Sequence, residues 1–135
     1  TEVGYQGGEN DNPTYQDHTG HAEGIELTYD STLTSFNEIL DYFFRIHNPT
    51  TLNRQGNDIG TSYRSAIFYQ NETELKTAQE IIEIVNNTEK WDGKAATTLE
   101  KYTHFWAAET EHQDYLQRNP NGYTCHFERF SESFI

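Results

Sequence analysis

The chain has 135 residues, with 22 Asp and Glu against nine Lys and Arg, and a formal charge of −13. So acidic a surface argues against nucleic acid or an anionic membrane as partner, because phosphate binding needs a basic face. Apolar residues make up only 33%, but nine Tyr, eight Phe and two Trp bury a large area per ordered residue and separate the chain from acid-rich disordered sequences.

The length fits one domain, residues 1–135, with a single modest core. "TEVGYQ" at 1–6 reads as a short strand running into a turn-rich loop, "GGENDNPTY", and "AEGIELTYD" at 22–30 alternates as a second strand. "TSFNEILDYFFRIHN" places Phe36, Ile39, Leu40 and Phe43 at helical spacing, with Thr34 or Ser35 as N-cap. "PTTLNRQGNDIGT" is a long irregular loop, and long loops in compact domains are usually functional or disordered. "SYRSAIFY" follows as a strand with Tyr63, Ser65, Ile67 and Tyr69 on one face.

"NETELKTAQEIIEIVNN" is the clearest helix, capped by Asn71 with Glu74 three residues on, and its stripe is Leu75, Ala78, Ile82 and Val85. "AATTLEKY" predicts a strand, and "FWAAETEHQDYLQRN" a short helix closed by "NPNGY". Interleaved strands and helices predict an α/β two-layer sandwich with a mixed sheet.

No run of 18 apolar residues, signal peptide or lipidation motif is present. Cys125 is the only cysteine, which excludes an internal disulfide framework. The six His show neither H-x3-H nor HExxH spacing, so no metal and no cofactor are expected. The sequons at Asn71 and Asn86 are too common by chance to signal use. The absence of Met suits a chain without its own initiator, a processed or excised piece.

Five stretches carry chemistry: "VGYQGG" at 3–8, "TGHAE" at 19–23, "FFRIHNPTTLNRQGNDIGTSYRSAIFY" at 43–69, "FWAAETEHQDYL" at 105–116 and "NPNGYTCHF" at 119–127. In this order they resemble the peptide methionine sulfoxide reductases of the A type, the last resembling the C-terminus of a two-cysteine subgroup. The resemblance implies a ferredoxin-like α+β fold. It also implies thiol-dependent reduction of methionine S-sulfoxide, free or in proteins, through a sulfenic acid and a disulfide that thioredoxin or a similar dithiol reduces. A reducing thiol cycle favours the cytoplasm.

By the same resemblance, Glu23 holds the sulfoxide oxygen and passes it a proton, Tyr5 and Tyr63 are phenol donors to that oxygen, and Asp58 orients the site. Trp106 lies near the substrate, and Cys125 is the recycling thiol. Read without the family, Glu23 is an ordinary surface acid, Asp58 a routine turn residue and Tyr63 a core edge, and Cys125 an inert small residue. His21, His47 and His112 read as structural hydrogen-bonding groups, and Glu109 and Asp114 as helix-surface charges.

The family's Gly-Cys-Phe-Trp turn, which carries the nucleophile and the methyl-binding wall, has no counterpart here. A strand plus helix of roughly 20 to 25 residues is expected to come from a segment outside this sequence or from a second chain. The rival expectation is a non-catalytic family member acting as a binding or assembly module.

Overall fold

The computed structural model describes residues 1–122, 124 and 126–135. Its strands are β1 (Glu2–Gln6), β2 (Ala22–Glu26), β3 (Arg54–Gln55), β4 (Asp58–Ile59), β5 (Ala66–Tyr69), β6 (Thr98–Lys101) and β7 (Trp106–Ala107). Its helices are α1 (Phe36–Ile46), α2 (Glu72–Thr88) and α3 (Tyr115–Arg118), with 3-10 turns at Thr61–Tyr63 and Thr110–His112. The fold is mixed α/β, with both antiparallel and parallel strand pairs. Among the described residues the strands form three sheets: antiparallel β2-β1-β7, the β3-β4 hairpin, and parallel β5-β6.

The core lies between the two long helices. Leu40 and Phe44 of α1 meet Ala78, Ile81 and Val85 of α2, Ile67 of β5 and Phe134 from the C-terminal segment. The α2 stripe is therefore centred on Ile81, with Ile82 only partly buried at its margin. Both helix starts are set locally: the Ser35 hydroxyl accepts from Glu38 N at 3.2 Å, and the Asn71 side chain from Glu74 N at 2.9 Å. The Asn86 side chain is also engaged, accepting from Ala95 N at 2.8 Å.

The C-terminal segment is zipped to the end of α1. Phe127 N and Arg129 N donate to the carbonyls of Ile46 and Arg45. Arg45 in turn donates to the Phe130 and Ser131 carbonyls. Buried Asp41 accepts from Phe134 N at 2.7 Å, which settles a carboxylate inside the helix pair.

Three sequence expectations are corrected. Residues 62–65 are not strand: Tyr63 ends a 3-10 turn, and β5 begins at Ala66. The loop at 49–61 contains the β3-β4 hairpin, whose two-residue turn uses Gly56 at φ +58°. Residues 105–119 are not one helix but β7, a 3-10 turn and the short α3. The local pattern there is helical, but Trp106 and Ala107 gain more by pairing with β1.

His47 closes α1 from inside. Its Nδ1 faces the Phe43 carbonyl, so that nitrogen carries the proton; Nε2 then accepts from the Ser65 hydroxyl at 2.8 Å. Ser65 and Thr97 hydroxyls continue the chain at 2.8 Å. Burial pushes the imidazole down to about 4. An unfolded imidazole binds its proton near 6.5, so between these values the unfolded chain holds more protons and stability falls as pH falls. The contribution is complete above about 6.5 and is lost progressively towards 4, about 3 kcal/mol in all. Urea unfolding at pH 7 and pH 5 is expected to differ by about 2 kcal/mol, and His47→Gln to remove most of that difference. An unchanged pH dependence in the variant would assign it to other groups.

Candidate functional site

The site grows from one row of residues. In the antiparallel register Tyr5 lies opposite Glu23 on one side and Trp106 on the other, so all three side chains project from the same face of the β2-β1-β7 sheet. Gly4 makes this pairing possible: a Cβ there would lie 2.2 Å from the Trp106 carbonyl and 2.6 Å from the Phe105 ring. Tyr5 is 2% exposed, whereas Glu23 reaches solvent.

Around this row stand groups from distant parts of the chain. The His18 ring stacks on Tyr5 with centroids 4.7 Å apart and planes at 19°. Its Nδ1 bonds the Thr14 carbonyl at 2.8 Å and its Nε2 the Ser62 hydroxyl at 2.6 Å. That second bond ties the Tyr5 side of the site to the Thr61–Tyr63 turn, so Tyr63 is carried beside β2. Asp58, on β4 at the base of the same turn, lies within electrostatic reach of Glu23.

On the far side of Tyr5, its hydroxyl donates to Glu109 Oε1 at 2.9 Å, and Tyr15 N donates to Glu109 Oε2 at 3.0 Å. The Tyr15 ring stacks on His112 at 4.9 Å. His21 is structural, as its buried position dictates: Nδ1 accepts from Gly8 N and Nε2 faces the Asn10 carbonyl.

These neighbours set the proton affinities. Glu23 is raised, first because crowding strips water from its carboxyl and also by the Asp58 charge; His18 and His112 pull the other way. Tyr5 is raised well above an ordinary phenol by burial, then by its bond to Glu109 and the charges of Glu109 and Glu23. Glu109 is lowered, chiefly by the Tyr15 N–H. A carboxyl that keeps its proton longer than usual, beside a phenol and an indole, can bind an oxygen atom and protonate it.

The structure thus brings together Tyr5, Glu23 and Trp106, with Asp58 and Tyr63 on the adjoining hairpin and turn. Cys125 lies outside the described residues. Its neighbour His126 is lowered by desolvation and the Arg129 charge, against a raising effect from Asp58, so the C-terminal segment passes within electrostatic range of the Asp58 loop. Sequence reading missed His18, Ser62 and Tyr15, and treated Glu109 as a surface charge. No periodicity signals a contact between residues 104 positions apart, and only β7 pairing puts Glu109 at Tyr5. The turn also gathers Glu109, Glu111 and His112, whose ligand-type atoms lie within 4.8 Å of one another. Both Glu109 oxygens, however, already accept hydrogen bonds.

A sheet face that carries a proton-retaining acid beside a phenol and an indole suits binding and protonating a polar oxygen, and the adjoining His18–Ser62 bond serves to join the Tyr5 side of the site to the Thr61–Tyr63 turn. The chain belongs to the peptide methionine sulfoxide reductase family: the family described as "Peptide methionine sulfoxide reductase" matches residues 1–134. It is 56% identical over 129 residues to peptide methionine sulfoxide reductase MsrA of Mycobacterium sp. (strain JLS), covering 96% of this chain and 75% of that protein. Its fold is similar to that of reduced Mxr1 from Saccharomyces cerevisiae, with TM-score 0.87 and 38% identity over 96% of this chain and 77% of the yeast chain. It is also similar to methionine sulfoxide reductase A of Corynebacterium diphtheriae, with TM-score 0.83 and 36% identity over 91% of this chain and 65% of that one.

The electrostatic arrangement around Glu23 is directly measurable. Followed by carboxyl carbon NMR, Glu23 is expected to titrate above the usual Glu range. Asp58→Asn should lower it, and His18→Asn should raise it further. Shifts of opposite sign would mean that neither group faces Glu23 in solution.

Proposed function

We propose that this chain carries the oxygen-binding half of a methionine sulfoxide reductase site, and that its substrate is methionine S-sulfoxide, free or within proteins. The observation that supports this most is the row Glu23–Tyr5–Trp106 on one sheet face, with the raised Glu23 carboxyl at its open end. The sulfoxide S–O bond is strongly polar, and its oxygen gains basicity as a thiolate attacks the sulfur. Glu23 gives that oxygen a proton, while the Tyr5 and Tyr63 phenols hydrogen-bond to it and Asp58 holds the surrounding charge in register. Oxygen passes from substrate sulfur to enzyme sulfur, so methionine leaves as a sulfenic acid forms on the enzyme.

The attacking thiolate comes from a segment outside this sequence. The chain spans 75% of the length of the Mycobacterium relative it matches. Cys125 then condenses with the sulfenic acid, releasing water, and a dithiol such as thioredoxin reduces the disulfide. In support, His126 beside Cys125 lies within electrostatic range of Asp58, so the tail runs near the site. Cys125 is not itself the nucleophile, because no helix N-terminus or Phe-Trp wall accompanies it in sequence. No helix among the described residues is long and apolar enough to cross a membrane, and a cycle that depends on free thiols suits the reducing cytoplasm.

The purified chain alone is expected to show no catalytic turnover of methionine S-sulfoxide with dithiothreitol, because a two-thiol cycle needs two cysteines. Turnover well above that of a Cys125→Ser control would make Cys125 the nucleophile and overturn this division of labour.

A further inference from the structure

The oxygen site contains a competition that the family assignment does not describe. A phenol has one proton, and in this structure the Tyr5 proton is already committed, since a carboxylate can only accept and the Tyr5–Glu109 bond is 2.9 Å long. Glu109 is not a loose surface acid. Its other oxygen accepts from Tyr15 N at 3.0 Å, and its own carbonyl accepts from His112 N at 3.0 Å.

The turn that carries Glu109 is also fastened to the strand that carries Tyr5. Ala108 N donates to the Val3 carbonyl at 2.9 Å. The Gln113 amide accepts from Val3 N and donates to the Val3 carbonyl, each at 2.9 Å, and donates to the Ala108 carbonyl at 3.1 Å. A side-chain amide thereby continues the sheet where the backbone of β7 leaves it. The distance between Glu109 and Tyr5 is thus fixed by four hydrogen bonds that neither residue makes.

We propose that Glu109 is a positioning residue of the oxygen site: it holds the single proton of the Tyr5 phenol, so that Tyr5 donates to a bound oxygen only when the Tyr5–Glu109 bond opens. The inference rests on the sulfoxide reading for the identity of the oxygen, but the proton-holding step does not. Glu23 is then the site's ready donor, and Tyr5 joins at the cost of a bond already made. The charged and titratable groups around Glu109 are Tyr5 from β1, Tyr15 from the following loop, and Glu111 and His112 from its own turn. Of these, the Tyr5 and Tyr15 bonds and the His112 charge favour its carboxylate form.

The two bonds to Glu109 also make a clean test. In Glu109→Gln the amide oxygen can keep the Tyr15 N–H, which turns the amide NH2 towards the Tyr5 oxygen. The phenol then accepts instead of donating, and its proton is free for a ligand. Binding of the probe N-acetyl-methionine-S-sulfoxide N-methylamide is followed by NMR in the chain and in the variant, at neutral pH. The expected result is about five- to tenfold tighter binding in Glu109→Gln, the worth of one hydrogen bond. Equal or weaker binding by a folded variant overturns the proposal.

A second measurement needs neither that variant nor the probe. The Glu109 carboxyl should titrate below the usual Glu range in the chain and move up in Tyr5→Phe, and an unmoved titration overturns the proposal on its own. If neither protein binds the probe, the sulfoxide reading fails, while the Glu109 titration still decides whether the Tyr5 proton is held.

Discussion

The structure depends on one ion pair. Arg64 meets Glu100 through two parallel bonds, Nε to Oε2 at 3.0 Å and Nη2 to Oε1 at 3.1 Å. Its remaining nitrogen donates to the carbonyls of Thr61 and Gly20. One guanidinium thereby joins the β5-β6 pair, the 3-10 turn before it and the loop leading into β2. The end of β1 lies against the same pair: a Cβ at Gly7, where φ is +88°, would fall 2.7 Å from Arg64 Nη2. Desolvation by itself would raise the Glu100 carboxyl, but the bonds from Arg64 and Thr98 hold it below the usual range. A planar fork that satisfies its donors in this way is worth far more than an exposed pair, and Lys could not replace it.

This clamp explains how a small hydrophobic core supports a site that lies outside it. The core belongs to α1, α2, β5 and the C-terminal segment, whereas Tyr5, Glu23 and Trp106 stand on a different sheet. Arg64 supplies a polar connection between the two near the end of β1, and within the site sheet the Gln113 amide bridges Val3 and Ala108. The acidic composition is turned to use in the same way. Glu100, Glu109 and Asp41 each accept from fixed donors, so several of the 22 acids serve as structural acceptors rather than as a solvated coat.

The parts of the fold that were legible in the sequence are those set by neighbours a few residues away. Ser35 and Asn71 announce helix starts because their side chains bond to backbone three residues on. The β2 strand follows from alternation, although it stops at Glu26 rather than Asp30. Residues 105–119 were misread because a helical pattern says nothing about a partner strand. Tyr63 was misread because a 3-10 turn and a strand start share the same side chains. Within the site, the motifs marked Tyr5, Glu23, Asp58, Tyr63 and Trp106, yet His18 and Glu109 carried no signal. Their importance lies in a stacked ring and a hydrogen bond, and both are long-range facts.

The sequence by itself therefore determined the family, the two long helices and the residue types that meet at the candidate site. Only the tertiary structure decided how those residues share their protons. It placed Glu23 and Trp106 on either side of Tyr5 by strand register, set His18 against the phenol ring, and brought Glu109 to accept the phenol's hydrogen bond. The reason is physical: proton affinity depends on desolvation and on charges a few ångströms away, and the groups that supply both to Tyr5 stand up to 104 positions from it in the chain.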